Sequence, residues 1–485
     1  MRFQAAIVGG GPAGAVAALV LARRGVRVAV LEAHAGPTLK VGETLPPSLA
    51  PLLAHLGLDA LLAGDGHLRS QGNRSLWGSA TPADSPFLAN PYGAGWHVDR
   101  RLFEARLAAA AQDAGAAWFW GCRVRRVRGE PGEGGEPGDR GGVGERAGSR
   151  WLLDLADGRT LEADFLADAT GRPAHFARRR GGARRLRYDR LVGISTLLPA
   201  AGPAAAAGSG SVAASGPAPA GAPAVDSYTL VEAVDEGWWY SAPLADGRLA
   251  VALMGDGDLL DRALFGRGAA DAWWRRLSGA DATRRRVEAH GVSAAWLGAG
   301  ARFAAPAGVA GSASPARPLD FADRASVVGS SRSADFAGRA DFAARADFAG
   351  RADGAGHVSS AAARGPGGPT GAAPPPLSVQ PAESSRLDRI VGDGWIALGD
   401  AAAAYDPLSS HGVVAAMGSG FYGGHAIADL LAGREEAGDA YLDVMQRTYG
   451  GYLDLLRERY AAERRFPGSP FWRRRQAAGF ADLPL

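Results

Sequence analysis

Residues Ala5–Glu32 read AAIVGGGPAGAVAALVLARRGVRVAVLE. The order is an apolar run, a glycine turn, an alanine-rich helical stretch, a second apolar run and a closing acid. Gly9, Gly11 and Gly14 have the spacing G-x-G-x-x-G. In a strand–turn–helix unit the first glycine permits the tight bend, the second lets the backbone approach a pyrophosphate, and the third lets the helix pack close to the strand. The helix opening there turns free N–H groups and the positive end of its dipole toward the phosphates. Glu32, at the end of the second strand, is the carboxylate that would accept the hydroxyls of an adenosine ribose. The spacing therefore predicts a dinucleotide-binding βαβ unit.

The chain has 485 residues, enough for two or three domain-sized units. Net charge is +3, and Lys40 is the sole lysine, so basicity is carried by arginine. The two basic clusters, Arg178–Arg187 and Trp472–Gln476, are short and read as solvated faces or loop charges; no nucleic-acid partner is expected. Cys122 is the only cysteine, which rules out a disulfide framework and a cysteine-based zinc site, and it reads as a small buried hydrophobe. Gly, Arg or Asp interrupts every long apolar run before it reaches membrane-spanning length. The first strand starts within a few residues of Met1, so no signal peptide is expected. The expectation is a soluble, cytoplasmic protein with no membrane partner and no metal.

Beyond Glu32, Gly95–Ala116 begins extended and becomes helical, and Trp151–Gly171 reads as a hairpin across Asp157-Gly158 followed by a buried strand ending Asp168-Ala-Thr-Gly. Val225–Asp256 holds two or three strands of a separate sheet. Residues 299–384 are compositionally biased and contain the tandem units DFAGRA, DFAARA and DFAGRA from Asp335 to Ala352. Such a tract cannot bury enough surface to offset its ordering entropy, and disorder is expected. Order is expected to resume at Leu387, with strand, loop and helix over Arg389–Gly433 and an amphipathic helix over Asp439–Arg464.

Three separated elements form an ordered set: the N-terminal glycine fingerprint, Asp168-Ala-Thr-Gly171, and the G-D-A-A-x-x-x-D-P block from Gly399 to Pro407. This set resembles the FAD-dependent monooxygenases with the p-hydroxybenzoate hydroxylase type of fold, closest to the tryptophan-halogenase-like branch. The resemblance implies an α/β fold: a Rossmann-like, three-layer FAD-binding domain with an inserted mixed or antiparallel-sheet substrate domain and a C-terminal helical segment. The FAD-binding domain would be discontinuous, over residues 1–70, 98–183 and 386–433. The substrate domain would take 71–97 and 184–298, the biased insertion 299–385, and the C-terminal helices 434–485.

The resemblance also assigns roles. Asp400 would hydrogen-bond the ribityl chain of FAD, or else cap the helix that follows. Ser409, Ser410 and Gly412 would offer backbone N–H groups beside the flavin ring, and Arg100 matches an arginine near the FAD phosphates, or else makes a surface salt bridge. His411 is either a solvated helix-start histidine or a catalytic one. Lys40–Pro47 (KVGETLPP) resembles the G-E-[ST]-x-x-P element, which lies near the flavin ring; Glu43 there is either catalytic or a buried carboxylate held by loop amides. Trp77, Trp238 and Tyr240 are candidates to line an aromatic pocket, or core residues.

Halogenases of the branch need a lysine two to three dozen residues beyond the G-E element, where this chain reads RSQGNRSLWGS without one. Their W-x-W-x-I-P signature is also eroded, to Gly237-Trp-Trp-Tyr-Ser-Ala-Pro243. GETLPPSL, Gly72–Gly78 and DPLSSHG are similar to flavoprotein maturases that hydroxylate a tryptophan of a partner protein during tryptophylquinone biogenesis. The implied activity is hydroxylation of an aromatic small molecule or a tryptophan-containing partner protein, through a flavin C4a-hydroperoxide. No second dinucleotide fingerprint is present, so NAD(P)H would bind transiently or a separate flavin reductase would supply electrons. Halogenation, reduction of an isoprenoid double bond, and a silent FAD-binding scaffold are the alternatives.

Deleting residues 334–352 is expected to leave FAD binding intact, measured by flavin retained on purification. A deletion that unfolds the protein would show that the repeats belong to the folded body.

Overall fold

A computed structural model describes residues 1–38, 40, 42–130, 150–200, 226–266, 268–291, 375–477 and 479–480. The tandem repeats and most of the biased tract lie outside the described residues.

The opening pattern folds as strand Arg2–Val8, helix Pro12–Arg23 and strand Val28–Leu31. Pro12 suits the first helical turn, where its missing N–H costs nothing. Ala13 to Leu21 are all buried, because the helix packs on both Arg100–Asp113 and Gly412–Leu431. Thr160–Asp168 pairs in parallel with the first strand, and Val8 lies opposite both Asp168 and Leu31. Ala117–Phe119 and Trp395–Ala397 extend the parallel ladder on its two sides, with Asp168 opposite Ala397. This register delivers Gly9, Glu32, Ala169-Thr170-Gly171 and Gly399-Asp400 to one carboxyl edge of the sheet, where open α/β sheets bind ligands.

The helix Gly412–Leu431 lies backbone to backbone on the fingerprint helix. A Cβ on Gly420 would sit 2.3 Å from the Ala13 carbonyl oxygen, and one on Gly424 would sit 2.9 Å from Val20 Cβ. These pairs increase together along both chains, so the two helices run in the same direction. Gly412 is two turns upstream of Gly420, which projects its end about 12 Å beyond the level of Ala13.

The second sheet has seven strands, in the order Ser378–Pro381, Leu191–Leu198, Leu249–Asp256, Gly237–Pro243, Thr229–Val234, Gly72–Leu76 and Ala83–Pro86. It is antiparallel except for the parallel pairing of Thr229–Val234 with Gly72–Leu76. Alternation along Gly237–Pro243 sends Trp238 and Tyr240 to one face and Trp239 to the other, where Trp239 meets Trp273 edge-on at 4.9 Å. Thr44–Leu45, Gly95–Val98 and His67–Ser70 form a small antiparallel sheet between the two large ones. Helix Glu436–Ala462 packs on Gly412–Leu431 and leads into Pro470–Gln476. Among the described residues no helix is long and apolar enough to cross a membrane.

Two expectations are corrected. Ser378–Pro381, placed in the biased insertion by composition, is an edge strand paired with Leu191–Leu198, so order resumes before Leu387. The basic clusters are not wholly solvated: Arg185 and Arg475 are 6% and 2% exposed. Arg475 donates to both carboxylate oxygens of Asp256 at 2.8 and 3.1 Å, and its guanidinium lies 3.7 Å over the Phe471 ring. A buried guanidinium needs such a partner and such a face.

Gly420→Ala is expected to destabilise the fold by about 2–3 kcal/mol, because the added methyl meets fixed backbone. Gly450→Ala, in open space on an exposed stretch of Glu436–Ala462, is expected to stabilise by about 0.5–1 kcal/mol. Denaturant melts of the two variants measure both.

Candidate functional site

At the nucleotide end, Gly9 has φ +109°, and a Cβ there would lie 2.2 Å from the Ala169 carbonyl oxygen. Only glycine fits that turn. Gly14 is as tightly placed, 2.0 Å by the same measure from the Gly9 carbonyl oxygen. Gly11 is the opposite case: nothing lies within 4 Å of where its Cβ would be, leaving an open cradle in front of the helix end. Glu32 accepts the Gly10 N–H at 2.8 Å and the His34 N–H at 2.9 Å. Burial pulls its carboxyl upward, but these amides and the His34 ring outweigh that and hold it below the usual carboxylate value. The Trp118 ring lies against Gly10, and its buried Nε1–H has no partner among the described residues. An open glycine cradle, an ionised acid and an unused indole donor fit the diphosphate and adenosine of FAD.

Asp168 is fully buried and shapes the neighbouring loop. One oxygen accepts the Thr170 N–H and hydroxyl at 3.0 and 2.6 Å; the other accepts the Phe176 and Ala177 amides at 2.9 and 2.8 Å. Across the sheet edge, Gly399 donates its N–H to Ser419 Oγ at 2.8 Å and abuts Ala13, 2.7 Å from where a Cβ would be. Asp400 lies in the short turn Gly399–Ala401 and caps no helix. Its carboxylate is partly exposed, 3.6 Å from Arg172 Nε. Its carbonyl accepts two N–H groups of Arg185 at 3.2 Å, and Arg185 also donates to the Arg172 and Ala401 carbonyls. Burial lowers the Arg185 pKa to about 10, which still leaves it charged at neutral pH. Asp400 is thus pinned through its backbone while its carboxylate stays available to ribityl hydroxyls.

In DPLSSHG, Asp406 caps the turn through the Leu408 N–H at 2.8 Å and accepts the Tyr460 hydroxyl at 2.7 Å; burial raises its pKa to about 7. The amides of Ser409 and Ser410 are already committed, to the Asp406 and Pro407 carbonyls at 3.1 and 3.0 Å. That corrects their expected role as flavin donors. At Gly412 the first bond of the helix runs from the Ala415 N–H to the His411 carbonyl, so the amides of Gly412, Val413 and Val414 have no intrahelical acceptor and are compatible with that role. His411 Nδ1 lies 2.6 Å from the Ser409 carbonyl oxygen and must carry the hydrogen. Burial lowers its pKa, so the ring is a neutral helix-start histidine.

In the G-E element, Gly42 adopts φ +94° and Glu43 is 4% exposed. Burial raises the Glu43 pKa, opposed by Arg100 and by the amides of Gly42 and Glu43 itself. Arg100 sits beneath this loop, donating to the Gly42 carbonyl at 3.2 Å and pairing with Glu104 at 2.6 Å. Lys40 pairs with the other Glu104 oxygen. Tyr240 Oη is 3.4 Å from Glu43 Oε2 and 2.7 Å from Thr44 Oγ1. Thr44 Oγ1 is 3.1 Å from His97 Nδ1 and 3.2 Å from Thr229 Oγ1, and His97 Nε2 is 2.8 Å from the Ser227 carbonyl oxygen. Sequence reasoning found Glu43 and Tyr240 but missed Thr44, His97 and Thr229, although Thr44 and His97 stand inside quoted stretches.

Trp77 and Trp238 are corrected from pocket to core. Trp77 is 4% exposed, donates to the Arg459 carbonyl at 2.8 Å and packs edge-on against Trp472 at 5.2 Å. Trp238 is 1% exposed and donates to the Tyr460 hydroxyl at 3.2 Å. Both weld the second sheet to the C-terminal helices.

An open cradle at Gly11, an ionised Glu32 and a backbone-pinned Asp400 share one sheet edge and suit FAD, the cofactor of an FAD-dependent oxidoreductase. Residues 2–173 match the family described as "FAD binding domain". The chain is 22% identical over 481 residues to LodB of Marinomonas mediterranea, described as an FAD-dependent oxidoreductase, covering 98% of this chain and 97% of LodB. Among solved structures, the myxobacterial chondrochloren halogenase CndH gives a TM-score of 0.66 at 20% identity, covering 98% of this chain and 86% of CndH. The peptidyl tryptophan dihydroxylase QhpG gives 0.60 at 21% identity, covering 99% of this chain and 79% of QhpG. Curated flavin-dependent halogenases match at higher identity over about a third of their own length; rdc2 of Metacordyceps chlamydosporia is 32% identical over 168 residues, covering 34% of this chain and 32% of rdc2. The motifs, the matched FAD-binding domain and the fold make the chain similar to the tryptophan-halogenase-like group of FAD-dependent enzymes.

Gly11→Glu is expected to abolish FAD binding by filling the cradle with a carboxylate. The readout is loss of the yellow colour and of flavin released on denaturation, with the fold retained by circular dichroism.

Proposed function

We propose that this protein is a cytoplasmic FAD-dependent monooxygenase that hydroxylates an aromatic ring, with a tryptophan side chain of a partner protein as the favoured substrate and an aromatic small molecule as the alternative. The observation that carries this reading is the fate of lysine. The chain has one, Lys40, and it is held by Glu104 on the helix Arg100–Asp113. The stretch Arg69–Ser79, where a halogenase would place its tunnel lysine, contains none. The eroded tryptophan signature supports the same choice, since the strand Gly237–Pro243 points Tyr240 at the G-E element and commits Trp238 to the core. Similarity in fold to a peptidyl tryptophan dihydroxylase is in keeping with a protein-borne substrate.

Bound FAD, once reduced, supplies the oxygen-activating chemistry. The chain's residues bind and orient it. Gly11 and the Pro12–Arg23 helix end receive the diphosphate, and Glu32 receives the ribose. Asp400 would hold the ribityl chain, and the amides at Gly412–Val414 would stabilise negative charge on the ring, as a helix N-terminus does. Electrons would come from transiently bound NAD(P)H or a partner flavin reductase.

Halogenation is the second reading, favoured by the matches to flavin-dependent halogenases. With reduced flavin and oxygen, the expected product is the substrate plus oxygen, formed at equal rate with and without halide. A product that carries halogen, or that forms only with halide, would overturn the hydroxylase reading.

A further inference from the structure

The side chains at Glu43, Thr44, Tyr240 and His97 come from three separate stretches and meet in one buried row ending on the Ser227 carbonyl. That carbonyl can only accept, so His97 Nε2 carries a hydrogen. Burial foremost, with Arg286 adding to it, lowers the His97 pKa to about 4; the ring is therefore neutral and Nδ1 is an acceptor. The Thr44 hydroxyl must then give its one hydrogen to Nδ1. Its oxygen is left to accept from Thr229 and from Tyr240. Tyr240 spends its one hydrogen on Thr44 and faces Glu43 Oε2 with a lone pair. Two lone pairs 3.4 Å apart repel; a carboxyl hydrogen between them removes the conflict.

We propose that Glu43 is held as a neutral carboxylic acid by this one-way row of hydrogen bonds, and that Tyr240, Thr44 and His97 are positioning residues that act through it. The flavoprotein reading above supplies the setting, but the protonation state follows from the row itself. The remaining charges do not reverse it. Arg100 faces Glu43 but is paired with Glu104, while Arg286 acts on both His97 and Tyr240 and Asp226 acts on His97. Burial of the carboxyl works in the same direction as the row. A neutral acid beside the flavin-side loop can give a proton to a developing oxyanion, its own O–H breaking as the new one forms. It is then a carboxylate that can take a proton back. Tyr240 cannot substitute as donor, because its hydrogen is committed to Thr44.

Infrared titration of the FAD-loaded protein tests this without turnover, so its outcome is separate from that of the hydroxylase reading. A carboxylic-acid carbonyl band is expected at pH 7, absent in Glu43→Gln and lost as the pH rises through the Glu43 pKa. Thr44→Val is expected to lower that midpoint by about one pH unit, because Tyr240 is freed to turn its hydrogen onto the carboxylate. No band at pH 7, or a midpoint that rises or stays in Thr44→Val, would overturn the proposal. Nitrogen NMR of unsubstituted protein, with His97 assigned through the Thr44 methyl, gives a second readout. The neutral Nε2–H tautomer is expected; an Nδ1–H tautomer or an imidazolium would overturn the row's direction.

Discussion

The contact on which the site depends is the glycine-mediated approach of two helices from opposite ends of the chain. Gly420 and Gly424 let Gly412–Leu431 touch the backbone of Pro12–Arg23, and Gly399 abuts Ala13 from the neighbouring loop. No side chain larger than hydrogen is tolerated at Gly420 without moving backbone. In return, two positive helix ends face the same side of one sheet, with the Gly412 end about 12 Å beyond the level of Ala13 along the axis. One end suits a diphosphate and the other a ring that becomes anionic. The distance between the two duties of the cofactor site is thus set by an offset of two helical turns.

Loop shape around this pair is imposed by buried charges that are fully engaged. Asp168 spends both oxygens on four donors, and Arg185 spreads its N–H groups over backbone carbonyls of two loops. A buried charge with one partner missing costs several kcal/mol, so each group locks its loop in a single arrangement. Asp400 shows the benefit: its backbone is fixed by Arg185 while its carboxylate, beside Arg172, stays partly exposed.

Much of this was legible before any coordinates. Gly9, Gly11, Gly14 and Glu32 share one local unit, and their spacing alone carries the chemistry. Asp168-Ala-Thr-Gly and Gly399-Asp400 were legible through resemblance. What stayed hidden depends on partners far apart in the chain. Arg185 and Asp400 are 215 residues apart, and Thr44 and Tyr240 are 196 apart. No period or spacing reports such a pairing. Trp77 and Trp238 were open to misreading because an indole lining a pocket and an indole in a core look alike until the facing surface is known. Ser378–Pro381 escaped notice because its four residues follow closely on a proline run and are too few for their alternation to stand out from the biased composition.

The parallel strand Trp395–Ala397, which pairs with Leu166–Asp168 at the end of the Asp168 strand, has a consequence for biogenesis. Until the ribosome has delivered residue 397, the Asp168 strand presents an open lateral edge on that side, a template for pairing with another chain. Closure also waits on a long intervening polypeptide, although the entropic toll of ring closure grows only with the logarithm of its length. The nascent chain therefore carries an unpaired strand edge until late in its synthesis, the kind of exposure that favours aggregation.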